Sequence, residues 1–276
     1  MAQIISMLTI VVYNNDSARD LDFSQMIDYD GIDLIVVHGQ DKYEAYNSAL
    51  DKVRSECVWF VDESFCVEKE ILAQIVNRIS NSVADFYALD YIVRYDDGRH
   101  DVCHSNLYYS SASRLVTMYS REKHVLFLSS MIFRMSIIQD NVLSFCPSAG
   151  MYAQKLFTVE FLRLAGKVNH IKDVVVSFCP NVGKEEYCRK PGYTRPRLEQ
   201  YKVYFDRLCS ILDSQDVMFL EDDCFLFKDE CTIKGLLPKQ RFNSVIPLPY
   251  AAIRRNAWSY DSLMKLTIVW LLNKFI

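Results

Sequence analysis

The chain has 276 residues, half of them hydrophobic and 24% charged, and its 31 basic and 35 acidic side chains give a formal net charge of −4. This length and apolar content are typical of one large folded domain, or of one domain with an appendage, and they exclude a disordered chain. A net acidic chain lacks the broad basic face that general nucleic-acid binding requires. The nine cysteines are scattered without a Cys-x-x-Cys pair, which argues against a zinc ribbon or a disulfide framework and favours reduced thiols in a cytoplasmic protein.

Strand-like and helix-like segments alternate in the first third of the chain. Apolar, β-branched runs predict strands at Met7–Tyr13, Ile32–Val37 and Cys57–Val61. Apolar residues at helical spacing predict helices over 43–53 and 71–83. This order predicts a mostly parallel sheet with helices on both faces, and the fold class is therefore α/β.

The later segments extend this sheet. The predicted elements are strands at 86–95, 102–109 and 125–133, a helix at 151–165 that ends at Gly166, a strand at 174–178 and a helix at 198–212. The first two of these strands flank Asp96-Asp97-Gly98, which is typical of a hairpin turn. Gly166 is expected to be the C-cap of its helix.

Polar residues follow each of the first three predicted strands. They are Tyr13-Asn14-Asn15-Asp16, His38-Gly39-Gln40-Asp41-Lys42 and Asp62-Glu63-Ser64. Ligands bind at the carboxyl ends of parallel strands, so three such clusters indicate a binding site at one edge of the sheet. Ordinary turns are the alternative for each cluster alone, since Asn, Asp and Gly are common turn residues.

The order of these segments resembles the inverting family 2 glycosyltransferases, which have the GT-A fold. The residues that carry the resemblance are LTIVVYNN, DKYEAYNSALDKV, VWFVDESFCVEKEIL, SSMIFRMSII and EFLRLAGKVNHIKDVVVSF. The second of these echoes the DKGxYDAxNxG segment of one branch of the family, and the last two resemble its acceptor side. The resemblance covers roughly residues 5–180.

This resemblance implies a domain organisation. A GT-A catalytic domain would occupy residues 1–182, with a nucleotide-sugar-binding half at 1–95 and an acceptor-side half at 96–182. Residues 183–276 would form a basic loop and a C-terminal helical extension.

The resemblance also implies a reaction. The chain would transfer a sugar from a nucleotide-sugar donor to a saccharide or lipid-linked acceptor, with inversion. The expected donor is a UDP-sugar. The product would be a surface polysaccharide such as capsule, O-antigen or lipopolysaccharide. Tyr13, His38 and Asp41 would surround the nucleobase and ribose. Asn47 would brace the neighbouring loop, with an ordinary exposed helix position as the alternative.

A divalent cation, Mn²⁺ or Mg²⁺, is the cofactor that the resemblance implies. Such an ion would neutralise the charge that grows on the leaving diphosphate, and Asp62 would face it and the ribose. The Asp-x-Asp motif of the family reads Asp62-Glu63-Ser64 here, so the second ligand would be the hydroxyl of Ser64. A hydroxyl is a poorer ligand for a hard cation than a carboxylate, and we expect weakened metal affinity.

The acidic base of the family has no direct counterpart. By spacing from Arg163, its positions hold Leu156 and Phe157, neither of which can accept a proton. The replacement candidates are Glu160, about one helical turn further on, and Asp140. The alternative for each of them is a solvent-exposed residue without a catalytic role.

A basic loop at 184–197 offers a substitute for the metal ion. Metal-independent transferases stabilise the leaving diphosphate with Arg and Lys. We therefore hypothesise that Arg189, Lys190 or Arg195 has this role, with a solubilising surface loop as the alternative.

Residues 263–276 read LMKLTIVWLLNKFI, which is too short to span a membrane. A cationic, Trp-containing helix of this kind predicts peripheral attachment to the inner-membrane surface. The alternatives are packing against the catalytic domain and packing in a homodimer.

Two other functions compete with the transferase. The two missing carboxylates raise the hypothesis of a degenerate GT-A fold that serves as a non-catalytic binding or scaffolding subunit. A nucleotidyltransferase would need a Gly-rich phosphate loop after the first strand, and Tyr13-Asn14-Asn15-Asp16-Ser17 lacks one.

Overall fold

The structure is a computed structural model. It describes residues 6–15, 31–62, 65–66, 69–94, 98, 100–103, 112, 116, 127–178 and 195–212. The chain divides into two compact units, Met1–Pro191 and Gly192–Ile276. In the described part of the chain, the first unit contains the sheet and the second contains one helix.

The elements follow the predicted alternation. The strands are β1 Leu8–Tyr13, β2 Ile32–Val37, β3 Cys57–Asp62, β4 Phe65–Cys66, β5 Phe86–Arg94, β6 His100–Cys103, β7 Met131–Arg134 and β8 Val168–Phe178. The helices are α1 Lys42–Leu50, α2 Lys69–Ser80, α3 Met135–Asp140, α4 Ala153–Leu164 and α5 Arg195–Ile211. The 3₁₀ turns are Leu128–Ser130 and Pro147–Tyr152.

The strands form one mixed sheet in the order β2-β1-β3-β7-β5-β8-β4, with β6 paired to the far half of β5. The pairs β1–β2, β1–β3 and β5–β8 are parallel, whereas β7 lies antiparallel between β3 and β5. The α/β fold class is confirmed.

Side chains on successive strand positions alternate between two faces of the sheet, because the pleat has a period of two residues. On one face, Ile10, Trp59 and Tyr87 join a buried cluster with Leu72 and Ile75 of α2. Helix α2 therefore covers this face.

Aromatic rings form the core on the opposite face. Phe60 of β3 lies 5.1 Å from Tyr46 of α1, and Phe133 of β7 lies 5.0 Å from Phe161 of α4, measured between ring centroids. Edge-to-face and tilted pairs of this kind add about 0.5–1.5 kcal/mol each beyond the area that they bury. Helices α1 and α4 therefore cover the second face, as predicted.

A buried polar pair lies where the ladder between β5 and β8 shifts register, between Leu89 and Asp90. Asp90 of β5 accepts a 2.6 Å hydrogen bond at Oδ1 from Nε2 of His170 of β8. This bond joins the two strands across the irregularity, where ladder hydrogen bonds are disturbed.

Of the predicted strand at 125–133, residues 125 and 126 lie outside the described residues, and Ser129 and Ser130 interrupt the rest. Residues 128–130 form a 3₁₀ turn, and the strand runs only from Met131 to Arg134. Both the backbone N–H and the hydroxyl of Ser130 donate to the carbonyl of Phe127. Serine offers such local bonds in competition with a strand ladder, which explains the difference.

The predicted C-cap at Gly166 is also wrong. Helix α4 ends at Leu164, and its C-cap residue Ala165 is extended rather than left-handed. The N–H of Gly166 donates to Oδ2 of Asp85 at 2.8 Å, and a Cβ at Gly166 would lie 3.4 Å from the same oxygen. That distance is an ordinary van der Waals contact, so Gly166 is held by its hydrogen bond to Asp85 and does not cap the helix.

Candidate functional site

The ends of three strands meet at one edge of the sheet. Tyr13, the last residue of β1, lies opposite Val37 of β2 and opposite Asp62 of β3. The described residues that follow these strands therefore share one edge, as the sequence predicts. Open α/β sheets bind their ligands at such an edge.

Tyr13 connects two of the polar clusters. Its hydroxyl donates to the carbonyl of Gly39 at 2.7 Å and lies 3.3 Å from Oδ1 of Asn15. Its ring packs edge-on against Tyr46 of α1, with centroids 6.1 Å apart. Tyr13 thus holds the loop after β2 against the end of β1, which is a positioning role beside the predicted contact with the nucleobase.

His38 is exposed at this edge. Its Nδ1 lies 3.0 Å from the carbonyl oxygen of Asn14, whose own N–H donates to the carbonyl of Val37. Because a carbonyl only accepts, the facing Nδ1 carries the hydrogen, and Nε2 of a neutral ring is then an acceptor. The imidazole is therefore oriented by the end of β1.

Asp41 is the N-cap residue of α1. Its Oδ1 accepts hydrogen bonds from the backbone N–H groups of Tyr43 at 2.8 Å and Glu44 at 3.0 Å. Aspartate is a preferred N-cap residue because it satisfies amides that have no partner inside the helix. The predicted contact of Asp41 with the ribose would come in addition to this capping role.

Asp62 forms an ion pair with Lys42, the first residue of α1. Lys42 Nζ lies 3.8 Å from Asp62 Oδ2, and the side chains are 16% and 12% exposed, respectively. Lys42 belongs to the predicted polar cluster after β2, but the sequence alone assigned it no role of its own. The pair joins the start of a helix to the end of a strand.

The described residues do not fit a divalent cation at Asp62. They contain no group of three or more His, Cys, Asp or Glu side chains that could hold a metal ion. Asp62 already faces an ammonium group, and Ser64 lies outside the described residues.

Asn47 holds the backbone of Phe145, which lies between α3 and α4. Its side-chain amide donates from Nδ2 to the carbonyl of Phe145 at 2.9 Å and accepts at Oδ1 from the N–H of Phe145 at 2.8 Å. The alternative of an ordinary exposed helix position is wrong. Because both ends of the amide are engaged with Phe145, we assign Asn47 a positioning role.

The positions of the family's acidic base are filled by the core. Leu156 and Phe157 of α4 are fully buried, and Phe157 stacks on Phe145 with ring centroids 4.1 Å apart. Sequence reasoning did not single out Phe145. The sequence feature that could have identified Phe145 is an aromatic residue shortly before the helix that carries Leu156 and Phe157.

The two candidate replacements lie in different surroundings. Glu160 is a buried residue of α4, only 8% exposed, so its interpretation as a solvent-exposed helix residue is wrong. Asp140 is exposed at the last residue of α3. Helix α3 follows β7, which ends opposite Cys57 at the start of β3 and so at the edge opposite Asp62.

Several predicted features lie outside the described residues. These are Arg189, Lys190 and Ser64, together with the apolar segment 263–276. Arg195 is the first residue of α5, in the second unit. Within the described ranges, no helix is long and apolar enough to cross a membrane.

No protein-family profile matches the sequence, and no curated protein matches it significantly. Solved structures with a similar fold do exist. A crystal structure of S. aureus TarS 1–349 has a TM-score of 0.54 and 14% sequence identity, over 97% of this chain and 88% of that chain. The complex of the same protein with UDP-GlcNAc gives 0.52 and 15%, over 94% and 81%.

A structure of TarS itself gives a TM-score of 0.52 at 14% identity, over 97% of this chain and 54% of that chain. These matches extend over nearly the whole of the present chain. The chain therefore shares its fold, the predicted GT-A fold, with these structures.

Proposed function

We propose that the chain is a glycosyltransferase that uses a nucleotide-sugar donor, a UDP-sugar, and acts with inversion. The acceptor would be a saccharide or a lipid-linked saccharide of a surface polysaccharide. This proposal deepens the fold assignment, because S. aureus TarS, which has a similar fold, was crystallised with UDP-GlcNAc and with UDP.

One observation carries the proposal. The residues that follow β1, β2 and β3 lie together at the carboxyl edge of the sheet, and Tyr13 ties the first two strand ends to each other through Gly39. In enzymes with the GT-A fold, such an edge holds the base, the ribose and the diphosphate of the donor. His38, Asp41 and Asp62 supply polar side chains there.

Glu160 and Asp140 are the two candidate catalytic bases of this proposal. Inverting transfer needs a carboxylate that takes the proton of the acceptor hydroxyl as it attacks the anomeric carbon. Glu160 is a buried carboxylate on α4, the helix that also carries Leu156 and Phe157.

The test is a thermal-shift panel of UDP-, GDP-, CMP- and dTDP-sugars, followed by an assay of nucleotide release with saccharide acceptors. A donor at about a hundred times its dissociation constant adds roughly 2.7 kcal/mol to the free energy of unfolding, which moves Tm by a few degrees. We expect stabilisation by UDP-sugars and turnover with at least one acceptor. No stabilisation by any nucleotide class would contradict the proposal.

A non-catalytic binding or scaffolding subunit is the second candidate, and the burial of Leu156 and Phe157 favours it. These two side chains leave no room for the usual base. Donor binding without transfer or hydrolysis, over all donors and acceptors tried, would select this candidate instead.

The proposal also places the acceptor at the inner-membrane surface. A lipid-linked acceptor would require the protein to work at the inner-membrane surface, and residues 263–276 would supply the contact. Co-sedimentation of the full chain with anionic vesicles tests this attachment, and a homodimer seen by light scattering without vesicle binding would contradict it.

A further inference from the structure

We infer that the ammonium group of Lys42 takes the place of a divalent cation at Asp62, so that this chain binds a nucleoside diphosphate without metal. The inference rests on the proposed function, because it concerns how the same site holds its donor. It assigns the diphosphate-binding charge to a residue of the first unit, outside the basic loop.

A divalent cation and the ammonium group of Lys42 would compete for the same carboxylate oxygen of Asp62. Lys42 Nζ lies 3.8 Å from Asp62 Oδ2. A bound Mg²⁺ would lie about 2.0–2.1 Å from a carboxylate oxygen and needs several further oxygen ligands. An ion at Oδ2 would therefore have to displace a like-charged group that already faces this oxygen.

The fold holds Lys42 in this position from two sides. The N-terminus of α1 is fixed by Asp41, whose Oδ1 accepts the N–H groups of Tyr43 and Glu44. One turn further on, the hydroxyl of Tyr46 donates to the carbonyl of Val61 at 2.8 Å, in a buried position next to Asp62. The start of α1 and the end of β3 are therefore joined independently of the ion pair.

The charge distribution at this edge points to the same residue. Among the described residues that follow β1, β2 and β3, Lys42 is the one lysine or arginine. The first amides of α1, which could otherwise bind a phosphate, donate to Asp41. An ammonium has three N–H donors and can bridge a carboxylate and a phosphate oxygen.

The experiment is calorimetric titration of UDP into four proteins, each in EDTA and in Mn²⁺. The proteins are the full wild-type chain, Lys42→Met, Lys42→Arg and the matched control Lys52→Met, which changes an exposed lysine just beyond the other end of α1. Circular dichroism confirms that each variant is folded, and Lys42→Arg keeps the charge if Lys42→Met is unstable.

We expect wild type and Lys52→Met to bind UDP equally well in both buffers, within about twofold. Lys42→Met should bind at least about tenfold more weakly in EDTA, because a charge-assisted contact is lost, and Mn²⁺ should restore part of the affinity since Asp62 is then open to a cation. Lys42→Arg should stay close to wild type in EDTA.

Two results would overturn the inference while leaving the proposed function intact. One is wild-type UDP binding that needs Mn²⁺. The other is unchanged affinity of Lys42→Met in EDTA, most directly if an Arg189→Ala/Lys190→Ala variant loses the affinity instead. Absence of UDP binding by wild type in both buffers would overturn the proposed function and the inference together.

Discussion

Asn47 and Phe145 lie 98 residues apart in the chain and exchange two hydrogen bonds, one from the Asn47 amide to the Phe145 carbonyl and one from the Phe145 N–H back to the amide oxygen. The side-chain amide of Asn47 therefore donates one bond to the backbone of Phe145 and accepts one from it, as the backbone of a neighbouring strand would. Because Phe145 also stacks on Phe157, this pair sets the position of α4 relative to α1.

Removal of the Asn47 amide should destabilise the protein. Asn47→Ala leaves the N–H and the carbonyl of the buried residue Phe145 without this partner, and we expect the free energy of unfolding to fall by about 1–3 kcal/mol. Urea unfolding measures the difference. Ser48→Ala is the matched control, since Ser48 is exposed and its hydroxyl only contacts its own helix at Ala45. A loss below about 0.5 kcal/mol for Asn47→Ala would show that water replaces both bonds.

Glu160→Gln should separate catalysis from binding. The substitution keeps the size of the side chain but removes the proton acceptor, so we expect kcat to fall by a factor of about 10²–10⁴ with UDP affinity unchanged. Asp140→Asn, at an exposed position, should leave kcat within about twofold. The assay is UDP release at saturating donor. A large fall for Asp140→Asn with normal turnover of Glu160→Gln would exchange the two assignments.

Reintroduction of an acid at the family's base position should damage the fold. Phe157→Asp places a carboxylate among buried rings that include Phe60, Phe133 and Phe145, and we expect a loss of at least about 3–5 kcal/mol in unfolding free energy. Phe157→Leu, which keeps the site apolar, should cost roughly 1–2 kcal/mol. Thermal unfolding compares the two. A folded and more active Phe157→Asp protein would mean that the site is open to the acceptor.

Cys57 should make the protein less stable in alkali. Burial raises the pKa of its thiol to about 12 from the ordinary value of 9.0, although the nearby Arg134 opposes this. Between these two values the unfolded chain loses the proton while the folded chain keeps it. The free energy of unfolding should therefore fall as the pH rises through this window, by up to about 1.4 kcal/mol per pH unit.

The comparison with Cys57→Ala isolates this contribution, because the other thiols and the tyrosines titrate in both proteins. The stability difference between wild type and the variant should shrink steadily above about pH 9. A difference in unfolding free energy between wild type and Cys57→Ala that stays constant up to about pH 11 would contradict this prediction. It would show that the thiol ionises in the folded chain as readily as in the unfolded one.

Local sequence patterns predicted most of the sheet. The run at Ile32–Val37 forms β2 with the predicted bounds, and β1, β3 and α1 differ from prediction by only a few residues at their ends. Period-two and helical spacing depend on neighbouring residues alone, so they can be read before any tertiary contact is known. The gathering of three polar clusters at one edge follows from the same patterns, since parallel strands end on the same side.

The remaining features depend on contacts between distant residues. Whether Glu160 and Asn47 are exposed was decided by how α1 and α4 pack on the sheet, and the place of Gly166 was decided by Asp85 rather than by a helix cap. The sequence by itself determined the α/β class and the edge of the sheet at which the ends of β1, β2 and β3 meet. Only the tertiary structure brought Lys42 to Asp62, because the partner of a charged side chain is set by the packing of a helix on a strand and leaves no periodic trace in the chain.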